Sequence, residues 1–209
     1  MRPRLLIAAG GALIILVAAL TAALAARHDP AAFTRPQPSP YRGSIPPPGI
    51  RAANFTLHDY RGKIVTMSRL RGRVVVLSFV DSKCKEQCPI VTTVIARAME
   101  RLPKSTRREV VPLLMSVNPR LDTPASIHRF LAARNAVALT YLVGPVRQMR
   151  PIWKAYSILP SIDTGNADIH SSDVRVFDRR GIWVTSEHAG VDLTAANLDH
   201  DVLVALRAR

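Results

Sequence analysis

Cysteine is scarce in this chain: Cys84 and Cys88 are the two in 209 residues. That number excludes a small scaffold held together by several disulfides. Aromatic residues are also few, at 5%, while hydrophobic residues make up 48%. This balance suits an α/β core built from Val, Leu, Ile and Ala. Acidic residues number 15 against 29 basic ones, for a formal net charge of +14. Such a surplus suits nucleic acid, an anionic membrane or an acidic protein. No Lys/Arg run is interleaved with aromatics, however, and the export signal described next argues against nucleic acid. Internal repeats are absent, and the length leaves room for one ordinary domain once a targeting segment is set aside.

Charge is missing altogether from residues 5–26, which follow Arg2 and Arg4 and carry Thr21 as their one hydroxyl. As a helix this run reaches about 33 Å, enough to cross the hydrocarbon core of a bilayer. Positive charge ahead of the run keeps the N-terminus in the cytoplasm and exports the rest. Ala23-Leu24-Ala25 resembles a signal-peptidase site, but the apolar run exceeds the roughly 7–15 residues of a secretory signal. Residues 1–26 are therefore read as a membrane anchor or uncleaved signal segment. The expected location is a bacterial-type cytoplasmic membrane, crossed once, with the domain on the periplasmic side. Residues 27–50 follow as a tether, because Pro30, Pro36, Pro38, Pro40, Pro46, Pro47 and Pro48 exclude a helix or central strand and favour an extended spacer.

The domain is expected over 51–209. Short alternating stretches at 55–57 and 65–67, around Arg61-Gly62, predict a hairpin. Residues 73–80 hold Val74-Val75-Val76-Leu77 and Phe79, a run that suits a strand buried on both faces. Pro89 can occupy a first helical turn, and Ile90, Val94, Ile95, Ala98 and Leu102 recur at helical spacing up to Pro103. Residues 110–117 read as a second buried strand, interrupted by Pro112. Asp122-Thr123-Pro124 announces a helix with Ile127, Phe130 and Leu131 inward. A strand at 140–143, a helix at 146–156, a loop at 157–169, a hairpin at 174–186 and a helix from Thr194 complete the chain. Strands alternating with helices imply a mostly parallel central sheet covered on both faces. The closing hairpin and helix match the second half of a thioredoxin-like arrangement.

The two cysteines lie between the most strongly patterned strand and helix, in Asp81-Ser82-Lys83-Cys84-Lys85-Glu86-Gln87-Cys88-Pro89. Residues four apart in a helical turn share a face, so both sulfurs can meet one ion or each other. The positive end of a helix and the neighbouring Lys83 and Lys85 favour thiolate, against Glu86. As a structural disulfide the pair would close so short a loop that little chain entropy would be removed. Their spacing exceeds the C-x-x-C of thiol oxidoreductases by one residue. Two thiolates suit soft Cu(I), or Zn(II), but hold neither ion well alone, so a third ligand is expected. Among six histidines, His28, His58, His128, His188 and His200 read as surface or packing residues. His170 precedes the terminal hairpin, in a loop that faces the cysteine-bearing helix start in a thioredoxin-like sheet; the residues alone leave it one candidate.

Taken together, Cys84-Lys85-Glu86-Gln87-Cys88-Pro89, Ser116-Val117-Asn118-Pro119-Arg120-Leu121-Asp122-Thr123-Pro124 and Asp168-Ile169-His170-Ser171 resemble the Sco/SenC family of copper chaperones for cytochrome c oxidase assembly. The resemblance spans about 55–207. It implies a thioredoxin-like fold and copper, Cu(I) before Cu(II), held by Cys84, Cys88 and His170. Asp168 is a candidate carboxylate for orienting the imidazole, with an ordinary loop Asp as the equal alternative, and Asp81 at the strand end carries the same two readings. The implied role is a metallochaperone, not an enzyme, delivering copper to the binuclear centre of oxidase subunit II or to another copper-accepting membrane protein. A thiol-disulfide reductase using Cys84 and Cys88 as a redox disulfide is the alternative, as is a copper or redox sensor. Lys85-Glu86-Gln87 stands where the family commonly has Pro-Asp-Val, and Asn118 where it often has Asp. Neither change removes a ligand, and the residues between the cysteines would lie at any contact surface.

Overall fold

The computed structural model describes residues 39–208. The expected anchor, and the tether as far as Pro38, lie outside the described residues. Among those described, no helix is long and apolar enough to cross a membrane.

The first strands among the described residues form an antiparallel hairpin, β1 (Thr56–Asp59) and β2 (Ile64–Thr66), followed by a 3-10 turn at Met67–Leu70. Strand β3 (Val74–Val80) leads to helix α1 (Gln87–Arg101) and the short α2 (Lys104–Arg107). Then come β4 (Val110–Ser116), α3 (Pro124–Ala132), β5 (Thr140–Val143), α4 (Val146–Ala155) and a single turn, α5 (Ser161–Thr164), inside the expected loop. The hairpin β6 (Val174–Phe177) and β7 (Trp183–Glu187) precedes the final helix α6 (Ala195–Arg207). The seven strands form one sheet in the order β2-β1-β5-β4-β3-β6-β7. Parallel pairing is confined to the centre, β3 with β4 and β4 with β5. The hairpins add antiparallel strands on both sides, so the parallel core is narrower than the alternation of elements suggested.

All seven residues of β3 are buried, because the strand lies inside the sheet and both faces are covered. Alternate side chains point to opposite faces. Val74, Val76 and Val80 pack with Val91 and Ile95 of α1, Ile127 and Leu131 of α3, and Leu198 and Val202 of α6. Val75, Leu77 and Phe79 pack instead with Met149, Ile152 and Trp153 of α4 and with Phe55 and Met67. Pro112 sits opposite Val76 of β3, whereas β5 begins only at Thr140, opposite Leu113. At Pro112, therefore, β4 has a neighbour on one side alone, and the missing N–H is tolerated.

Residues 39–50, expected as the end of the tether, are bound to the domain. The backbones of Ser44 and Ser186 exchange hydrogen bonds of 2.8 and 2.9 Å, and Arg51 bridges to Ile182. The amides of Arg42 and Gly43 donate to the two carboxylate oxygens of Asp201 at 2.8 and 3.0 Å. Proline bars a regular strand here, yet two isolated bridges suffice to cover the edge that β7 would otherwise expose. A Cβ on Gly43 would collide with the Ser186 carbonyl oxygen and stand 2.9 Å from Glu187 Cγ, so only glycine permits this approach.

Glu187, beneath that strap, is completely buried, and neither carboxylate oxygen has a hydrogen-bond partner among the described residues. Burial, followed by the nearby carboxylates of Asp201, Asp192 and Asp199, pushes its pKa up to about 8 from an ordinary 4.5. The folded state thus retains a proton that the unfolded chain releases above its ordinary pKa. Stability should fall as pH rises from about 4.5 to about 8 and then level off. Glu187→Gln is expected to remove that slope and to stabilise the domain by roughly 4 kcal/mol at pH 8, but little at pH 4. Thermal unfolding of both proteins across this range tests the sign; parallel curves would contradict it.

Candidate metal centre

The sheet order brings the site together. Strands β3 and β6 are antiparallel neighbours, with Ser78 paired to Val174, so the loop after β3 and the loop before β6 open at the same end. Cys84 lies in the first loop, Cys88 in the opening turn of α1, and His170 in the second loop. One ligand atom from each, the two sulfurs and an imidazole nitrogen, lies within 4.8 Å of the others. Donors at about 2.0–2.3 Å from a shared first-row ion stand no more than about 4.6 Å apart. The set therefore fits a metal with only a small adjustment, and two sulfurs with one imidazole suit a soft ion.

His170 Nε2 is 3.0 Å from Cys88 Sγ, and Nδ1 is 2.8 Å from the Ser171 carbonyl oxygen. A carbonyl only accepts, so in the neutral ring Nδ1 carries the proton and Nε2 turns its lone pair toward the sulfurs. The Cys84 thiol is held down to about 5, chiefly by the hydrogen bond from the Cys88 thiol and against burial, with His170 and backbone amides assisting. The same partnership, reinforced by burial, drives Cys88 far above the ordinary thiol range. For His170, burial pulls downward, but hydrogen bonding to Cys84 and the Ser171 carbonyl outweighs it and raises the pKa. The pair therefore rests as one thiolate and one thiol, and engaging both sulfurs with a metal displaces a proton.

Helix α1 has no side-chain N-cap, and the site supplies the missing acceptors. Cys84 Sγ takes the Cys88 amide at 3.4 Å. Asp168 Oδ1 takes the amides of Lys85 and Glu86 at 2.6 and 3.3 Å. The structure thus places Asp168 on the backbone of the cysteine loop, while the imidazole is oriented by Ser171. Those amides, the Lys85 one first, hold the Asp168 carboxyl below its ordinary value. Asp81 is fully buried. Its Oδ1 accepts from the Lys83 amide at 2.8 Å, its Oδ2 from the Ser161 hydroxyl at 2.7 Å, and its amide donates to Cys88 Sγ at 3.4 Å.

The side chain ahead of Pro124 caps α3 as expected, Thr123 forming a reciprocal pair with Ser126. Asp122 turns inward, accepting from the Ser82 amide at 2.9 Å, the Ser116 hydroxyl at 2.5 Å and the Tyr141 hydroxyl at 2.8 Å. Burial raises its pKa, with these bonds working the other way. The remaining histidines stand apart: His58 and His128 are exposed on β1 and α3, His188 lies near Asp192, and His200 contacts the Pro40 carbonyl. His28 is outside the described residues.

Comparison with known proteins gives the chain a family and a fold. A family model described as SCO1/SenC matches residues 46–197. An SCO2-like protein of Rickettsia typhi is 23% identical over 150 residues, covering 69% of this chain and 72% of that protein. The copper-bound structure of Bradyrhizobium japonicum ScoI superposes with a TM-score of 0.64 at 23% identity, covering 75% of this chain and all of the other. BsSco, a member of the Sco family of cytochrome c oxidase assembly proteins with a disulfide switch, gives a TM-score of 0.63 at 22% identity, over 79% of this chain and 99% of the other. At these identities the structural likeness establishes the shared thioredoxin-like fold.

Proposed function

Because the chain belongs to the SCO1/SenC family, we propose that it binds copper through Cys84, Cys88 and His170 and hands it on during cytochrome c oxidase assembly. The observation that carries this reading is the convergence of two sulfurs and a correctly presented imidazole within 4.8 Å. Copper is cargo here: a thiol or imidazole of the recipient enters as one of the three ligands leaves. The recipient proposed is the binuclear copper centre of oxidase subunit II. Residues 1–26 would anchor the chain in the membrane with the domain on the extracytoplasmic side, where tethering raises its effective concentration near a membrane-bound client. Copper-bound ScoI and the assembly role named for BsSco support the reading.

A second reading, thiol-disulfide reductase, is favoured by the Cys84 thiol held near 5 beside Cys88. Anaerobic titration of the reduced full chain in detergent with Cu(I), against a competing chelator, tests both. One tight equivalent per chain is expected, lost in Cys84→Ser and in Cys88→Ser. Weak binding unaffected by either change, with rapid disulfide exchange in the parent protein, would leave the reductase.

A further inference from the structure

Both sulfurs are nearly sealed from solvent, with Cys84 3% and Cys88 0% exposed. An open groove of about 450 Å³ runs past Cys84, and its lining includes Lys83, Lys85, Arg129, Phe130 and Arg134. Four of these are cationic, and no carboxylate shares the lining. The nearest acid of the opposing loop, Asp168, is occupied by the amides of Lys85 and Glu86. The Arg134 guanidinium stacks 3.9 Å above the centre of the Phe130 ring, and its buried Nε has no partner among the described residues. The groove therefore has a fixed cation, loose cations around it and a copper-ligand sulfur in its wall.

We propose that this groove receives an acidic segment of the protein that exchanges copper with this chain. The proposal rests on the copper reading for its purpose, and on charge for its partner. Carboxylates of the segment lie against Lys83, Lys85, Arg129 and Arg134 while a donor atom reaches Cys84. A net charge of +14 adds long-range attraction for the same partner. A protein fits better than a free anion because apolar side chains flank the cations. Ile90, beside Pro89 of the lining, is 51% exposed, and Leu121, whose carbonyl accepts from Ser126 of the lining, is 48% exposed.

The test uses two synthetic peptides that share one cysteine and differ in carrying Glu or Gln around it. Copper transfer from the loaded full chain is timed, and binding of Ser-for-Cys versions to the metal-free chain is followed by fluorescence anisotropy. The Glu peptide should take copper about tenfold faster at low ionic strength and lose that advantage near about 0.5 M salt. The double variant Lys83→Gln/Arg129→Gln should cut the advantage below about threefold, and Lys83→Arg/Arg129→Lys should retain it. Equal rates for the two peptides at low salt, or a preference unchanged in the double variant, would overturn the proposal. Should copper fail to bind, anisotropy still decides: preference for the Glu peptide supports the groove although the copper reading falls, and no preference overturns it.

Discussion

Replacing His170 with alanine is expected to weaken Cu(I) binding by at least about a hundredfold, beyond the 10–100-fold typical for a group that only orients a ligand. The ring contributes one donor of three, and Ser171 has already fixed its tautomer, so the affinity lost includes preorganisation as well as a bond. The same change should leave disulfide exchange within a few-fold of the parent, since exchange needs only Cys84 and Cys88. His170 is one of several influences on Cys84, behind the Cys88 thiol, so the thiolate should persist at neutral pH without it. Chelator competition and a thiol-exchange assay on the same preparation make the comparison. Unchanged copper affinity would remove His170 from the donor set, while parallel loss of both activities would indicate a disturbed loop.

Asp122→Ala should cost stability on the scale of roughly 3–5 kcal/mol, because it strands donors inside the fold. The Ser116 hydroxyl and the Ser82 amide lose their acceptor, and each unsatisfied buried group costs about 1–3 kcal/mol. Tyr141 loses less, since its hydroxyl also reaches the Val80 carbonyl oxygen at 3.2 Å. Asp122→Asn should recover part of the loss by retaining one oxygen acceptor. Because Ser82 opens the loop that carries Cys84, copper affinity should also fall in the alanine variant, by about tenfold. Denaturant unfolding, with copper titration under folded conditions, checks both effects. A stability loss below about 1 kcal/mol would mean that water replaces the carboxylate.

Local pattern makes much of this architecture legible in the sequence. The apolar run of β3, the i, i+4 recurrence along α1, Thr123-Pro124 at the start of α3 and the final hairpin all depend on residues a few positions apart. Such neighbours interact in nearly any fold, so their chemistry can be read along the chain. Cys84 and Cys88 belong to this class, since residues four apart at a helix start share a face wherever the helix lies. The role expected for His170 came from family resemblance, because nothing local distinguishes a loop histidine that meets a sulfur from one that meets water.

Tertiary structure decided the rest, for one physical reason: those contacts are made between loops that only the sheet order brings together. Pairing of β6 with β3 carries His170 to Cys88 across 82 positions and lays Asp168 over the amides at the start of α1. The same pairing gives β7 its place at the sheet edge, where residues 39–50 can bind and bury Glu187. The Ser82 amide and the two hydroxyls determine that Asp122 turns inward. Sequence determined which groups this protein has for holding a soft metal, and packing determined how they are aimed and what may approach them.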